Sequence, residues 1–203
     1  LIFALVGEVF EENWISSYSK NNFYYLKGVL QNILRKLHIS DLKYEVDFDN
    51  IFEYKLKICE NGNYLGYIGE LNKDYIKNFS IENKVHICNL NLDNIKLNNR
   101  SIKYQESSRY PSSRRDLSMI LDNNVSFDTI KDIAFKLENK ILRNVNLFDV
   151  YKGENIAKKK KSLAISFTFN DSKKTLTDKL VDKIMKKISD TLKSELGAEI
   201  REK

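Results

Sequence analysis

The residues of this chain that are best suited to bind a ligand are cations. Arg114 and Arg115 stand side by side, and four lysines follow one another further on. An arginine guanidinium can hold a phosphate through two parallel hydrogen bonds or stack on a base, whereas a lysine attracts phosphate as a point charge. These groups predict binding of a polyanion, and a solvated lysine-rich face is the alternative. The consecutive lysines are Lys158, Lys159, Lys160 and Lys161.

Three aromatic residues near these cations offer rings that could stack on a base. They are Tyr110, Phe148 and Tyr151. Proteins commonly hold unpaired bases on aromatic side chains, but an aromatic residue among apolar neighbours is also typical of a core. Both interpretations stay open for each ring.

The net charge of +6 is confined to the second half of the chain. Residues 1–103 contain thirteen lysines and arginines and thirteen aspartates and glutamates, whereas residues 104–203 contain twenty-one and fifteen. Because each neutralised phosphate releases condensed counterions, such an excess favours association with nucleic acid. The charge therefore supports a polyanionic partner for the second half, although charge alone favours a solvated lysine-rich face.

Cysteine and histidine chemistry is poorly represented. Cys59 and Cys88 form no Cys-x-x-Cys motif, and the two histidines are His38 and His86. His86 and Cys88 fall on one side of a predicted strand, but two ligands supply only half of a tetrahedral zinc shell. No third group is placed to orient a Cys-His nucleophile. We expect packed side chains, with no metal site and no catalytic residue.

Length and composition predict a soluble globular protein with one large domain or two ordinary ones. The chain has 203 residues, of which 42% are apolar and 31% charged. No apolar run approaches the roughly 18 residues of a membrane-spanning helix, and no signal peptide is recognisable. We expect a cytoplasmic protein without membrane contact. Because the sequence begins at Leu1 without a methionine, we also expect the natural start to lie upstream.

Hydrophobic periodicity predicts a mostly antiparallel sheet with one substantial helix in the first half. Apolar residues recur at helical spacing from Asn22 to His38, and the run Leu1–Val6 is typical of a buried strand. The pair Asn61 and Gly62 favours a type I′ turn, which predicts a hairpin. The hairpin strands are Tyr54–Ile58 and Tyr64–Ile68, and the remaining elements are strands at Tyr44–Phe48 and Val85–Leu92 and a short helix at Asp74–Phe79.

A polar stretch from Asn94 to Ser108 is typical of a linker and predicts domains at residues 1–103 and 104–203. The second domain has the order strand, helix, strand, strand, helix, strand. Ser126 and Thr177 are placed to cap its two helices, and Gly197 is placed to end the second helix in a left-handed conformation. We therefore expect an α+β protein whose second domain is a βαββαβ, ferredoxin-like fold with both helices on one sheet face.

The third strand of that domain bears on the mode of RNA binding. Bulky apolar residues on one side alternate with small ones on the other, so its open face carries no aromatic ring. Base stacking contributes on the order of 1–3 kcal/mol per base, so a generic single-strand RNA-binding sheet is disfavoured. Any RNA contact is expected to use loops, strand ends and the backbone. The open-face residues are Ser162, Ala164, Ser166 and Thr168.

The two adjacent arginines should face opposite sides of the first strand. At most one of Arg114 and Arg115 is then expected to pair with Asp116 or with a helix end, while the other faces outward. An ion pair with Asp116 or Asp149 inside the domain is the alternative to phosphate binding for one of them.

Three phrases in a fixed order relate the second domain to a known family. They are Tyr110–Leu117 (YPSSRRDL), Leu147–Gly153 (LFDVYKG) and the run from Lys161–Ala164 (KSLA) to Thr175–Asp178 (TLTD). Their order and spacing resemble the C-terminal, ferredoxin-like anticodon-binding domain of bacterial phenylalanyl-tRNA synthetase beta subunits.

The first half resembles another part of the same subunit. Phe23–Gly28 (FYYLKG) and Leu65–Leu71 (LGYIGEL) resemble phrases of a module with the class II synthetase fold that has lost catalytic activity. The sequence departs from the family at Asn50–Tyr54, where a His-Pro-Gly-Arg stretch is expected. The resemblance implies that residues 1–103 are the C-terminal part of that module.

The resemblance implies a role in phenylalanine-tRNA ligation. The family's enzyme esterifies phenylalanine to tRNA-Phe with ATP and magnesium, as a heterotetramer of two alpha and two beta subunits. Its active site lies in the alpha subunit, so this region is expected to bind the anticodon region of the tRNA and to catalyse nothing and hold no cofactor itself. The expected RNA-binding residues are Arg114, Arg115, Lys158, Lys159, Lys160, Lys161, Tyr110 and Tyr151.

Two other functions stay open on the sequence. A structural module could use its open sheet face for subunit assembly, with no direct RNA contact. A small hydrolase of the acylphosphatase kind would need a glycine-rich phosphate loop beside its arginines, and no such loop adjoins Arg114.

Overall fold

A computed structural model describes residues 1–7, 23–39, 42–95, 108–153 and 156–201. The chain divides into two compact units, Leu1–Lys103 and Tyr104–Lys203. Both units combine helices with antiparallel sheets, which confirms the predicted α+β class.

The first unit contains a five-stranded antiparallel sheet. Its strands lie in the order β1, β5, β4, β3, β2, so that β1 and β2 are the edges. A short 3-10 helix follows β5 at Leu92–Asn94. The elements are β1 Ile2–Val6, α1 Phe23–Lys36, β2 Leu42–Asp47, β3 Phe52–Glu60, β4 Asn63–Leu71, α2 Lys73–Lys77 and β5 Val85–Leu90.

Helix α1 covers one face of this sheet, as its periodicity predicts. Leu26, Leu30 and Leu34 recur every four residues, and all three are buried. They pack with sheet residues such as Ile58 and Ile68, which are also inaccessible to solvent. The buried stripe of the helix and the alternating apolar side of the sheet therefore form one core.

Two glycines shape the β3–β4 hairpin. The turn residues Asn61 and Gly62 both have positive φ, 48° and 82°, which confirms the predicted type I′ turn. Within β4, Gly66 has φ 152° and lies directly against the backbone carbonyl of Asn89 in β5. A Cβ at this position would collide with backbone atoms, so the strands can approach this closely only at a glycine.

Strand β1 differs from its prediction as a buried strand. It pairs with β5, but it is an edge strand on which Ile2 remains 66% exposed. Only the alternate residues Phe3 and Leu5 pack against the core. An uninterrupted apolar run therefore did not indicate burial on both faces, because the position of a strand within its sheet is not a property of the run itself.

The second unit has the predicted βαββαβ order. Its four strands lie in the order β7, β8, β6, β9 and every neighbouring pair is antiparallel, which confirms the ferredoxin-like arrangement. The elements are β6 Ser113–Asp122, α3 Phe127–Leu137, β7 Leu142–Tyr151, β8 Lys160–Phe169, α4 Asp178–Leu196 and β9 Glu199–Arg201.

Both helices of the second unit pack on one face of its sheet. Phe167 and Phe169 of β8 are fully buried and share a core with Ala134 of α3 and with Val181 and Ile188 of α4. The opposite face of the sheet is the open face. Its central positions are the small residues of β8, as the alternation predicts.

The helix ends of the second unit follow the sequence signals with one exception. Ser126 Oγ accepts a hydrogen bond from the backbone N–H of Thr129 at 3.1 Å and caps α3. Gly197 ends α4 with φ 63°. Thr177 occupies the N-cap position of α4, but its side chain makes no capping hydrogen bond, so that part of the prediction is wrong.

Candidate nucleic-acid interface

The open face of the second sheet carries an arginine paired with an aromatic ring. Strand β7 loses register with β8 between Leu147 and Asp149, so that Phe148 is an extra residue in the edge strand. The Arg114 Cζ atom lies 5.4 Å from the centre of the Phe148 ring, within the range of a cation–π contact. Phe148 remains 50% exposed. The edge strand therefore supplies the aromatic ring that the third strand of the domain lacks.

Asp116 fixes the orientation of Arg114. The Arg114 Nε donates to Asp116 Oδ1 at 2.8 Å, and Nη2 donates to Oδ2 at 3.3 Å. The two residues lie two positions apart on β6 and therefore on the same face. This fork-to-fork pair holds the planar guanidinium over the sheet. The Arg114 side chain is still 59% exposed, so a ligand can reach it.

Arg115 faces the other side of β6 and binds the start of α4. Its Nη2 donates to Asp178 Oδ1 at 2.5 Å, and its Nε donates to Asp182 Oδ1 at 2.9 Å. Hydrogen bonds to Asp178 and Asp182 raise the pKa of Arg115. The prediction of opposite faces is confirmed, but the prediction that at most one arginine forms an ion pair is wrong, and Arg115 does not project freely as an RNA contact.

The four consecutive lysines do not act as one solvated run. Lys158 and Lys159 are exposed in a turn, whereas β8 already begins at Lys160. Lys160 Nζ binds Glu199 Oε1. Lys161 Nζ donates to the carbonyl oxygens of Val125 at 2.6 Å and Asn123 at 3.0 Å. Burial lowers the pKa of Lys161, and the nearby Lys152 lowers it further. The four lysines therefore do not form one solvated face, because strand alternation sends Lys160 and Lys161 to opposite faces of β8.

Neither predicted tyrosine belongs to the buried core. Tyr110 is half-buried just before β6, where its backbone oxygen accepts a hydrogen bond from Asn170 Nδ2 at 2.9 Å. Tyr151 is half-exposed at the end of β7, and its ring lies close against Gly153. A side chain at position 153 would collide with that ring, so the glycine determines where Tyr151 can lie. Phe148 is also exposed, so none of the three aromatic rings is a core residue.

Comparisons with known proteins agree with this geometry. Residues 108–201 match the family model of the ferredoxin-fold anticodon binding domain. Residues 1–92 match the phenylalanyl tRNA synthetase beta chain CLM domain. The chain belongs to the phenylalanyl-tRNA synthetase beta chain family.

Curated members of this family align with almost the whole chain. A phenylalanine–tRNA ligase beta subunit from Bacteroides thetaiotaomicron is 37% identical over 202 residues, which are 97% of the chain and 25% of that protein. The subunit from Clostridium tetani is 37% identical over 191 residues, 92% of the chain and 24% of that protein. The subunit from Syntrophus aciditrophicus is 32% identical over 201 residues. The chain thus spans about a quarter of the length of the relatives that it matches.

Membership of a synthetase family raises the question of an ATP or magnesium site in this chain. The described residues include no group of three or more histidine, cysteine or acidic side chains arranged to hold a metal ion. Cys88 is buried in β5, which raises the pKa of its thiol to about 12 and removes it as a nucleophile at neutral pH. In the described part of the chain, no helix is both long and apolar enough to cross a membrane.

The first sheet contains a buried cluster of ionisable side chains around Glu70. The Glu70 carboxylate is buried in β4, where Oε1 accepts from Lys84 Nζ at 2.7 Å and Oε2 accepts from the Tyr54 hydroxyl at 3.2 Å. His86 Nδ1 lies 3.6 Å from Oε2. Burial, followed by the charge of Glu70, raises the pKa of Tyr54. These contacts connect strands β3, β4 and β5 of the unit that matches the CLM domain. They pair the Glu70 carboxylate with the Lys84 ammonium inside the protein.

Sequence reasoning missed a second set of cations in the anticodon-binding domain. The outer side of α4 carries exposed lysines at intervals of four, three and seven residues, a spacing that keeps them on one side of a helix. The same spacing, read for charge as well as for apolar residues, would have identified this stripe. It consists of Lys179, Lys183, Lys186 and Lys193.

Proposed function

We propose that this chain binds the tRNA of a phenylalanine–tRNA ligase, tRNA-Phe, through its second unit and holds the anticodon region while another polypeptide performs aminoacylation. The observation that carries the proposal is the exposed Arg114–Phe148 pair on the open sheet face of a unit that matches anticodon-binding domains. A planar cation beside an aromatic ring provides the two surfaces on which an unpaired base stacks best.

The pair is well prepared for such a contact. Asp116 already holds the Arg114 guanidinium in place, so little further ordering is needed when a base arrives. Because Phe148 is an extra residue in an edge strand, its ring lies where neighbouring strand residues do not cover it. Tyr151 lies further along the same strand and offers a second, half-exposed ring.

Phosphate contacts are assigned to the exposed cations near Tyr151, at the end of the sheet opposite to Arg114. Lys158 and Lys159 lie in the turn that leads into β8, and Tyr151 is paired with Ser162 near the start of that strand. Lysines in this position would contribute affinity without reading the base sequence. Lys160, Lys161 and Arg115 are left out of the RNA contact, because protein oxygen atoms bind them and they are less exposed than Arg114.

The proposal for the whole enzyme goes beyond this chain. Aminoacylation requires ATP and magnesium, and the described residues offer no acidic cluster that fits such a site, so both are assigned to the alpha subunit of a complex with two alpha and two beta subunits. A second beta subunit and the alpha subunit are thus further partners. The compartment that this function requires is the cytoplasm, where tRNA is charged for translation.

Binding measurements test the role of the open face. Labelled tRNA-Phe and an unrelated tRNA are titrated with the chain at low salt, and fluorescence anisotropy reports the affinity. We expect Phe148→Ala to weaken binding about 5- to 150-fold, which corresponds to the roughly 1–3 kcal/mol of one stacked base. Arg114→Lys keeps the charge but loses the planar guanidinium, so we expect a smaller loss in the same direction.

The matched control removes an exposed phenylalanine from the first unit. Phe48 is 93% exposed, and Phe48→Ala should leave the affinity for tRNA unchanged. Failure of the unmodified chain to bind either tRNA would contradict the proposal. Full tRNA binding by Phe148→Ala, together with loss of association with the alpha subunit, would favour a structural role of the open face in subunit assembly.

A further inference from the structure

We infer that the outer face of α4 is a contact surface for the phosphate backbone of RNA, separate from the Arg114–Phe148 pair. The inference rests on the proposed function in that the RNA is the tRNA. The surface, called the lysine ridge here, consists of Lys179, Lys183, Lys186 and Lys193, all of which are exposed.

The ridge is a straight row opposite the buried side of the helix. Val181, Ile188 and Leu192 of α4 pack into the core of the second unit, and the ridge lysines lie on the opposite side of the helix. From Lys179 to Lys193 the helix rises about 21 Å, at 1.5 Å per residue. The row therefore places four ammonium groups along one line, with Asp190 as the acid that interrupts it.

Two acids of α4 beside the ridge already have a partner. Asp178 and Asp182 belong to the first turns of the helix, where they could neutralise neighbouring lysines, but the guanidinium of Arg115 holds both carboxylates toward the sheet. Among the described residues, no ion pair holds a ridge lysine, in contrast to Lys160 and its partner on β9. The ammonium groups of the ridge are thus available to bind an anionic ligand.

Helix stability does not explain the first two lysines of the ridge, Lys179 and Lys183. The N-terminal end of a helix dipole is positive, so Lys179, in the first turn, stands where an acidic side chain would be more stable. Lys179 and Lys183 are four residues apart, as are Lys183 and Lys187, and like charges at this spacing repel each other. A bound polyanion removes both unfavourable effects. The arrangement therefore costs the free chain stability that binding would recover.

The chemistry of the ridge favours RNA over a protein partner. Protein interfaces are centred on aromatic and apolar residues and are depleted in lysine. The exposed residues of α4 are mostly lysines and acids, and Leu180 is the one large apolar side chain among them. Lysines without planar or apolar neighbours suit phosphates, which carry charge but no base information. The ridge should therefore contribute affinity that depends strongly on salt and little on RNA sequence.

The test is a charge reversal of the ridge in the full chain. The variant Lys179→Glu/Lys183→Glu/Lys186→Glu is titrated with labelled tRNA-Phe at several salt concentrations. Each lost phosphate contact removes about 0.7–0.9 from the slope of log affinity against log salt, so we expect a slope smaller by about two units. At low salt we expect an affinity about 10- to 100-fold lower. Circular dichroism at each salt concentration shows that α4 stays folded.

The matched control changes the charge by the same amount elsewhere. Lys36, Lys43 and Lys73 are exposed lysines of the first unit, and their triple reversal to glutamate should leave the slope nearly unchanged. An equal loss in this control, or an unchanged slope in the ridge variant, would overturn the inference. If Phe148→Ala weakens binding while the ridge variant does not, the ridge alone is wrong. If the unmodified chain binds no tRNA, both the ridge and the proposed function are wrong.

Discussion

Strand β3 of the first unit and helix α4 of the second use lysines in opposite ways. In the first unit, Lys55 Nζ lies 3.0 Å from Asp47 Oδ2 and 3.1 Å from Asp49 Oδ2, and only 13% of the side chain is exposed. In the second unit, Arg115 takes the two acids at the start of α4, and the lysines of that helix face solvent. The charge of Lys55 is thus neutralised within the first sheet, whereas α4 presents its lysines to solvent.

This difference teaches that a charge count and an available charge are different quantities. The sequence balance of each half predicts correctly which half is basic, but four of the predicted RNA contacts were chosen because lysines were adjacent. Two of those, Lys160 and Lys161, are held by protein oxygen atoms. Free cations occur where the nearby acids already have partners, and that arrangement is visible only in three dimensions.

The largest expected effect separates the functions of the two units. Phe167→Ala removes a fully buried ring from the second core and should cost about 3–5 kcal/mol of unfolding free energy, with loss of tRNA binding. Leu30→Ala in the first core should cost about 2–5 kcal/mol and leave tRNA binding intact. Urea unfolding and anisotropy titrations below the unfolding midpoint measure both quantities. Loss of binding in both variants would break the comparison.

The next effect concerns acid stability, which we expect to depend on the first unit. The ammonium of Lys55 is the main cause of the lowered pKa of Asp47, and for Asp49 the backbone N–H of Ile51 precedes Lys55 as a cause. Carboxylates with a lowered folded pKa stabilise above the unfolded value of about 3.9, and this stability is lost as pH falls below it.

Lys55→Met tests that origin. Without the ammonium, Asp49 loses its ion pair and Asp47 keeps only the one with Lys57, so the Tm of the first unit should fall by several degrees at pH 7. Between about pH 4 and pH 2 the variant should lose less additional stability than the unmodified chain. Thermal unfolding at a series of pH values measures this dependence. Parallel curves for the two proteins would show that other groups govern acid stability.

A smaller effect should link Arg115 to RNA without direct contact. Arg115→Gln releases Asp178 and Asp182, which can then neutralise nearby lysines of α4, so tRNA affinity should fall about 3- to 10-fold with a salt slope smaller by about one unit. Arg115→Lys retains a cation between the acids and should preserve most of the slope. If the affinity falls with an unchanged slope, Arg115 acts through the fold alone.

The smallest effect is a substitution at one position that should raise stability and lower tRNA affinity. Lys179→Glu places an acid in the first turn of α4, four residues before Lys183, and should stabilise the second unit by about 0.5 kcal/mol. That gain corresponds to a Tm about 2–4 °C higher for a domain of this size. The same variant should bind tRNA more weakly at low salt. A lower Tm would show that Lys179 supports the helix and is not held there for a ligand.

Local patterns in the sequence were sufficient for most of the fold. The Asn61-Gly62 turn, the apolar stripe of α1 and the cap at Ser126 each depend on residues within a few positions of one another. Such patterns can be recognised without knowledge of the tertiary contacts of the element. The βαββαβ order followed from them, because two helices with one apolar stripe each require a sheet with one apolar face.

The candidate site depended on contacts that local patterns do not encode. Arg115 and its acidic partners are 63 and 67 residues apart, so their meeting follows from the packing of α4 on β6. The exposure of Phe148 depends on a register shift between two strands, which neither strand specifies alone. The lysines of α4 are different, because their helical spacing is visible in the sequence. A periodicity analysis restricted to apolar residues does not detect them.

The irregular register of β7 also affects the tendency of the protein to self-associate. This strand is an edge of the second sheet and departs from regular pairing at two places, near Arg143 and at Phe148. A regular, exposed edge invites strand addition from another copy of the chain, whereas bulges spoil the match. The extra residue that presents an aromatic ring to solvent therefore also discourages self-association, so the ring is displayed without becoming a nucleus for aggregation.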